Sequence, residues 1–142
     1  MKNKLRHALI ANAATLGVHW IYNYDFLDDL SKKQSLLFLD PDETLYKQAK
    51  ISYFAYPGYK AGDFTGVGQL ILKLYDALNQ NPSFNIENYK TLLTQLYEPG
   101  GSYKGYVESY GKKLIFNQLK SALKIDMDDL MIDDHQLVGF AP

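Results

Sequence analysis

A glycine-rich loop that runs directly into a strongly apolar helix constrains this chain more than any other feature. The loop covers 59–69, and residues 70–78 repeat apolar side chains at helical spacing. Glycine allows a positive φ and close backbone approach, and the first N–H groups of a helix lack partners within it. The loop therefore predicts a site that uses Asp63 and Thr65, or a tight corner in which Asp63 caps the helix. Its three glycines are Gly62, Gly66 and Gly68.

Helical periodicity recurs along the chain, and no period-two alternation or hairpin pattern is present, so the predicted fold class is all-α. Segment 43–60 has no clean period, and we expect a long irregular connection with a turn at Pro57–Gly58. At 142 residues the chain has the size of one ordinary domain, and we expect 1–142 to form a single all-α domain or part of a larger one. The predicted helices cover about 3–16, 23–30, 67–78, 85–96, 107–123 and 126–138.

Helix caps are predicted at three of these starts. Asn23 or Asp25 would cap the second helix, Asn85 would cap the helix that follows the break at 79–83, and Asp126 would cap the last helix. Each is a short polar side chain that can accept a hydrogen bond from a first-turn N–H group.

Composition excludes several classes of protein. The formal net charge is −1 and there is no long run of like charges, so neither nucleic acid nor a membrane surface is an expected partner. No apolar run approaches the roughly 18 residues of a membrane span, and no signal peptide is recognisable, so we expect a cytoplasmic protein. The chain has no cysteine, so any metal ion would need oxygen or imidazole ligands.

Tyrosine is the unusual component. The chain has twelve tyrosines, which cluster in 46–59 and 97–110. A tyrosine ring with a polar tip suits the wall of a cleft, although ordinary packing is the alternative for each. Tyr103 and Tyr106 flank Gly105 and are candidates to line such a cleft.

The run 18–24 is too aromatic to be only a linker, and we expect a buried or cleft-lining connection. His19 and Trp20 in this run are candidates to contact a ligand by stacking and hydrogen bonding. The alternative for His19 is a packing residue in an apolar environment.

Two motifs resemble the ADP-ribosylglycohydrolase family, in particular a bacterial and plant branch. Residues 16–22 (LGVHWIY) are similar to an LGVHWIYD run near the start of that branch. Residues 62–65 (GDFT) are similar to its GDFTHYGDQT run, which opens a long helix. Residues 105–108 (GYVE) resemble its GYxD element, and 134–137 (DHQL) are a further, weaker match.

The resemblance implies an all-α, multi-helix orthogonal bundle of which this chain is the N-terminal half. It implies hydrolysis of the glycosidic bond between ADP-ribose and a protein side chain or small leaving group, assisted by two Mg²⁺ ions. Hard cations take oxygen ligands and can activate water, and the motif gives Asp63 and Thr65 as metal contacts. No catalytic residue is assigned. The residues expected to bind substrate are His19, Trp20, Gly62, Gly66, Gly68, Tyr103 and Tyr106.

Several positions depart from the family pattern. Gln69 stands where the branch has an acid, and Asn12 stands where the family commonly has Asp. Gly66 and Val67 replace histidine and tyrosine, and the Asp-x-Asp-Ser/Thr run of the family's second half does not occur. We therefore expect a hydrolase fragment, with ADP-ribose or an ADP-ribosylated protein as partner and a second chain to supply the missing half. The alternative is an inactive remnant that binds an ADP-ribose-like nucleotide or a protein.

Overall fold

The structure is a computed structural model that describes residues 2–125. This part of the chain is helical, and its β-structure consists of one isolated antiparallel bridge, Ile21–Ser52. The predicted all-α class is confirmed for these residues, whereas the predicted helix 126–138 lies outside them. The helices are α1 (Lys2–Ala14), a 3₁₀ turn (Leu16–Val18), α2 (Tyr24–Ser31), α3 (Glu43–Ala49), α4 (Gly66–Gln80), α5 (Ile86–Tyr97) and α6 (Ser109–Leu123).

The side-chain caps predicted for α2 and α5 are both present. Asn23 Oδ1 accepts a hydrogen bond from Phe26 N at 3.1 Å, so Asn23 rather than Asp25 caps α2. Asn85 caps α5 in a reciprocal capping box, because Asn88 N donates to Asn85 Oδ1 and Asn85 N donates to Asn88 Oδ1, each at 3.1 Å. These two predictions from local sequence are confirmed.

Helix α3 corrects the prediction of an irregular segment over 43–60. Asp42 caps it by accepting a first-turn N–H at 2.8 Å. Its buried side chains are Tyr46 and Ala49, which are 3% and 0% exposed. Two buried side chains in a helix of seven residues are too few to show a helical period in the sequence. The predicted turn at Pro57–Gly58 is confirmed, with a φ of +80° at its glycine.

The described residues fall into two compact units. The first unit contains 2–69 and 104–106, and the second contains 70–103 and 107–125. Helix α4 begins in the first unit and continues in the second. The expectation of a single domain stays a prediction. One core cluster of the first unit consists of Ile21, Tyr46 and Ala49, packed against Val18, Phe26, Leu27, Leu45 and Phe54.

In the second unit, α5 packs against α6. The hydroxyl groups of Tyr97 and Tyr110 lie 3.0 Å apart, and Gln118 Nε2 donates to Thr94 Oγ1 at 2.7 Å. Tyr97 follows Thr94 in α5, whereas its partner Tyr110 precedes Gln118 in α6, so the two helices are antiparallel. A Cβ at Gly111 would lie 2.7 Å from the Tyr97 ring, so glycine permits this close packing. No helix in the described part of the chain is long and apolar enough to cross a membrane.

We predict that Asn85→Ala lowers the free energy of unfolding by about 1 kcal/mol, because it removes the cap of α5. Asn79→Ala is the matched control, since Asn79 is exposed and its amide donates to Tyr75 O within its own helix. Urea denaturation followed by circular dichroism measures both variants. Equal losses in the two variants would contradict the capping role.

Candidate functional site

Asn12 of α1 and Thr65, which directly precedes α4, are joined by two hydrogen bonds. Asn12 Nδ2 donates to Thr65 Oγ1 at 2.8 Å, and Thr65 N donates to Asn12 Oδ1 at 3.0 Å. Gly68 N also donates to Thr65 Oγ1, at 3.3 Å. Thr65 is 2% exposed. One amide therefore holds α1 against the start of α4, although the two residues are 53 positions apart.

Gly66 and Gly68 lie in the first turn of α4 rather than in the preceding loop. A Cβ at Gly68 would lie 2.3 Å from Asn12 Oδ1, so a side chain there would displace the amide. Gly66 N donates to Tyr56 Oη at 3.4 Å. Because these N–H groups donate to oxygens of the protein itself, the start of α4 offers fewer free donors to a bound phosphate.

The loop before α4 is closed by Asp63. Asp63 Oδ2 accepts from Lys60 N at 2.8 Å, and Asp63 N donates to Lys60 O at 3.0 Å. Gly62 has a φ of +95°, so the predicted left-handed glycine is found here. Asp40 Oδ1 accepts from Ala61 N at 2.7 Å. The exposed Asp63 carboxylate thus closes its own turn and does not cap α4.

Gln69 supports the same loop from α4. Its Nε2 donates to Tyr59 Oη and to Phe64 O, both at 3.1 Å. These are the contacts of a structural residue, in a position where the family resemblance places an acid.

The two predicted metal contacts, Asp63 and Thr65, are engaged in these hydrogen bonds. The Thr65 hydroxyl oxygen faces two N–H donors, whose positive ends would oppose a cation. Across residues 2–125 no group of three or more His, Cys, Asp or Glu side chains could hold a metal ion. The donor set around Thr65 therefore does not fit Mg²⁺.

Six rings of the first unit form a continuous series, the aromatic chain. Neighbouring ring centroids lie between 4.8 and 5.7 Å apart. His19 stacks on Trp20 with an interplanar angle of 24°, whereas the other pairs are tilted or edge-to-face. The members, in order of contact, are Tyr59, Tyr56, His19, Trp20, Tyr53 and Tyr106.

The isolated bridge fixes one end of the aromatic chain. Tyr53 N donates to Trp20 O at 3.0 Å and Tyr22 N donates to Ile51 O at 2.8 Å, on either side of the bridge. Trp20 has a φ of +65°, a conformation that is uncommon for a bulky residue. This backbone turn leads from the 3₁₀ turn into the bridge and leaves the Trp20 ring against Tyr53.

Exposure changes along the aromatic chain. Tyr56 is 1% exposed, whereas Tyr53 is 53% exposed. Tyr22 and Ile51, paired through the backbone beside Tyr53, are also exposed. The aromatic chain therefore has an inner part at Tyr56, near the start of α4, and an open end at Tyr53, whose side chain is accessible to solvent.

Three of the predicted substrate-binding residues are brought together: His19, Trp20 and Tyr106. Tyr103 is placed elsewhere, in the second unit, where its ring packs 5.3 Å from that of Tyr97. The sequence did not single out Tyr53 and Tyr56, although the clustering of tyrosines at 46–59 pointed to this segment. Nothing in the sequence pointed to Asn12 as the partner of Thr65.

Burial lowers the pKa of His19 below its usual value, so the imidazole is neutral at pH 7. Tyr46 Oη donates to His19 O at 2.7 Å and fixes the backbone behind the ring. His19 thus serves as a neutral ring in the aromatic chain, able to stack and to hydrogen-bond but carrying no charge.

Comparison of the chain with protein-family models, with curated proteins and with solved structures found no match. The family resemblance therefore rests on the motifs themselves and stays a prediction. The candidate site is defined by the contacts of the first unit: the Asn12–Thr65 pair at one end and Tyr53 at the other.

We predict that stability falls as the pH is lowered from about 7 to 5, because the unfolded chain binds a proton at His19 near its usual pKa of about 6.5 and the folded chain binds it only at lower pH. The loss of stability levels off once the pH is below the pKa of His19 in the folded chain. His19→Gln should reduce this slope, whereas His7→Gln, at an exposed position in α1, should leave it unchanged. Thermal melts across this pH range provide the measurement, and an unaltered slope in His19→Gln would contradict it.

Proposed function

We propose that the first unit binds an ADP-ribose-type nucleotide by stacking its base on the open end of the aromatic chain. The observation that carries this proposal is the group of three inclined rings, Trp20, Tyr53 and Tyr106, anchored by the Ile21–Ser52 bridge. The ligand would be free ADP-ribose or ADP-ribose attached to a protein.

Stacking on an aromatic side chain contributes about 1–3 kcal/mol per base, and every base offers a ring face. A platform works best when its rings are fixed before the ligand arrives, because less freedom is then lost on binding. Here the hydrogen bond from Tyr53 N to Trp20 O joins the backbones of two of these residues, and Tyr106 N donates to Ala55 O at 3.1 Å. The positive φ of Trp20 is the kind of backbone strain that clusters at binding sites.

The nucleotide class comes from the resemblance. The motif 16–22 contributes His19 and Trp20, and the motif 105–108 contributes Tyr106. These two motifs are far apart in sequence, yet the Trp20 and Tyr106 ring centroids lie 4.8 Å apart. Their meeting supports a shared role in binding one ligand.

We predict that ADP-ribose changes the fluorescence of Trp20, the single tryptophan of the chain, and that ribose 5-phosphate, which lacks the base, does not. Tyr53→Ala should weaken ADP-ribose binding by about ten-fold or more, the loss of one stacking contact. Tyr24→Ala is the control, since Tyr24 is 79% exposed and lies on α2. No fluorescence or calorimetric response at millimolar ADP-ribose would overturn the binding proposal.

Hydrolysis of ADP-ribosylated protein is the second candidate, favoured by the placement of the GDFT motif directly before the long helix α4. It would need carboxylates in addition to Asp63, because among residues 2–125 no group of three or more His, Cys, Asp or Glu side chains could hold a metal ion. We expect the folded chain alone to release no ADP-ribose from a modified protein, with Mg²⁺ or with EDTA. Release that requires Mg²⁺ and is lost in Asp63→Asn would favour the hydrolase instead.

A further inference from the structure

We infer that Asn12 fills, with its own amide, the place that the family resemblance gives to a metal ion at Thr65, so that the start of α4 is fixed without a cation. This inference concerns the inner end of the site and is independent of nucleotide binding at Tyr53. Its basis is the set of contacts around the Thr65 hydroxyl.

The first argument is the direction of the hydrogen bonds. Asn12 Nδ2 and Gly68 N both donate to Thr65 Oγ1, at 2.8 and 3.3 Å. A cation would have to approach the same oxygen against the positive ends of these two N–H dipoles. An asparagine amide supplies a donor and an acceptor, and Asn12 uses both on one threonine.

The second argument is space. Thr65 is 2% exposed, and a Cβ at Gly68 would lie 2.3 Å from Asn12 Oδ1. The first turn of α4 thus closes directly onto the amide. A hydrated Mg²⁺ ion, which releases its water reluctantly, would have to displace the Asn12 side chain to reach Thr65.

The third argument is charge. Asp63, the nearest acid in the motif, is exposed and accepts from Lys60 N, and Gln69 is neutral and donates to Phe64 O. Replacing Asn12 with aspartate would keep an acceptor for Thr65 N, remove the donor that opposes a cation and add one negative charge. Asn12→Asp is therefore expected to open the position to a divalent ion.

The test uses the whole chain without nucleotide and paramagnetic Mn²⁺ as the probe. Bound Mn²⁺ broadens nearby amide resonances in a nitrogen–proton correlation spectrum. We expect the Thr65 and Gly68 amides of the natural sequence to lose no more intensity than other amides as Mn²⁺ is added. Selective broadening of these two resonances would overturn the inference.

Two matched variants distinguish the effect of the Asn12 amide from the effect of an added negative charge alone. In Asn12→Asp we expect selective broadening at Thr65 and Gly68 and Mn²⁺ binding on the order of ten-fold tighter than in Asn79→Asp, which adds the same charge on the exposed part of α4. A folded Asn12→Asp that shows no such broadening would overturn the role of the amide. Should Asn12→Asp fail to fold, the Mn²⁺ measurement on the natural sequence decides the inference alone. The fluorescence response to ADP-ribose tests only the nucleotide proposal, so the two can fail independently.

Discussion

The pair of hydrogen bonds between Asn12 and Thr65 is the interaction on which the candidate site depends. Each contributes about 0.5–1.5 kcal/mol net, and loss of one partner costs about 1–3 kcal/mol when the other is left buried and unsatisfied. Thr65 is buried, so this larger cost applies to its N–H, whereas its hydroxyl oxygen would keep the hydrogen bond from Gly68 N. Gly68 has to lack a side chain for the amide to fit. Thus Asn12, Thr65 and Gly68 stabilise one another, and a change at any one of them alters the contacts of the other two.

The same contacts extend to the aromatic chain. Gly66, which follows Thr65, donates to Tyr56 Oη, and the buried Tyr56 ring contacts both Tyr59 and His19. His19 stacks on Trp20, so a continuous series of contacts joins the start of α4 to the bridge. The start of α4 and the rings around Tyr53 are thus connected by packed side chains.

The sequence predicted what local rules determine. The sequence identified Asn85 as the cap of α5 because a cap acts within one helical turn. Helix α3 was missed because its stabilisation comes from Asp42 and from burial of Tyr46 against Phe54, which periodicity does not register. Asn12 shows the limit most clearly. In the sequence it stands out only as a departure from the family pattern, because its partner lies 53 residues away and no local pattern encodes such a pair.

The hydrogen bonds between the uncharged side chains of Asn12 and Thr65 also bear on the chemistry that the first unit supports. Hydrolysis of a glycosidic bond by two metal ions needs several carboxylates that converge on the substrate, and here the polar groups at the start of α4 are used to hold the fold. Stacking needs only rings fixed in place, which the bridge and the hydrogen bond from Tyr53 N to Trp20 O provide. These contacts therefore support the proposed binding of a nucleotide more than the hydrolysis of its glycosidic bond. Asn12 and Gln69 are both amides at positions where the family resemblance places acids, and their hydrogen bonds hold the start of α4 without the negative charge that a cation requires.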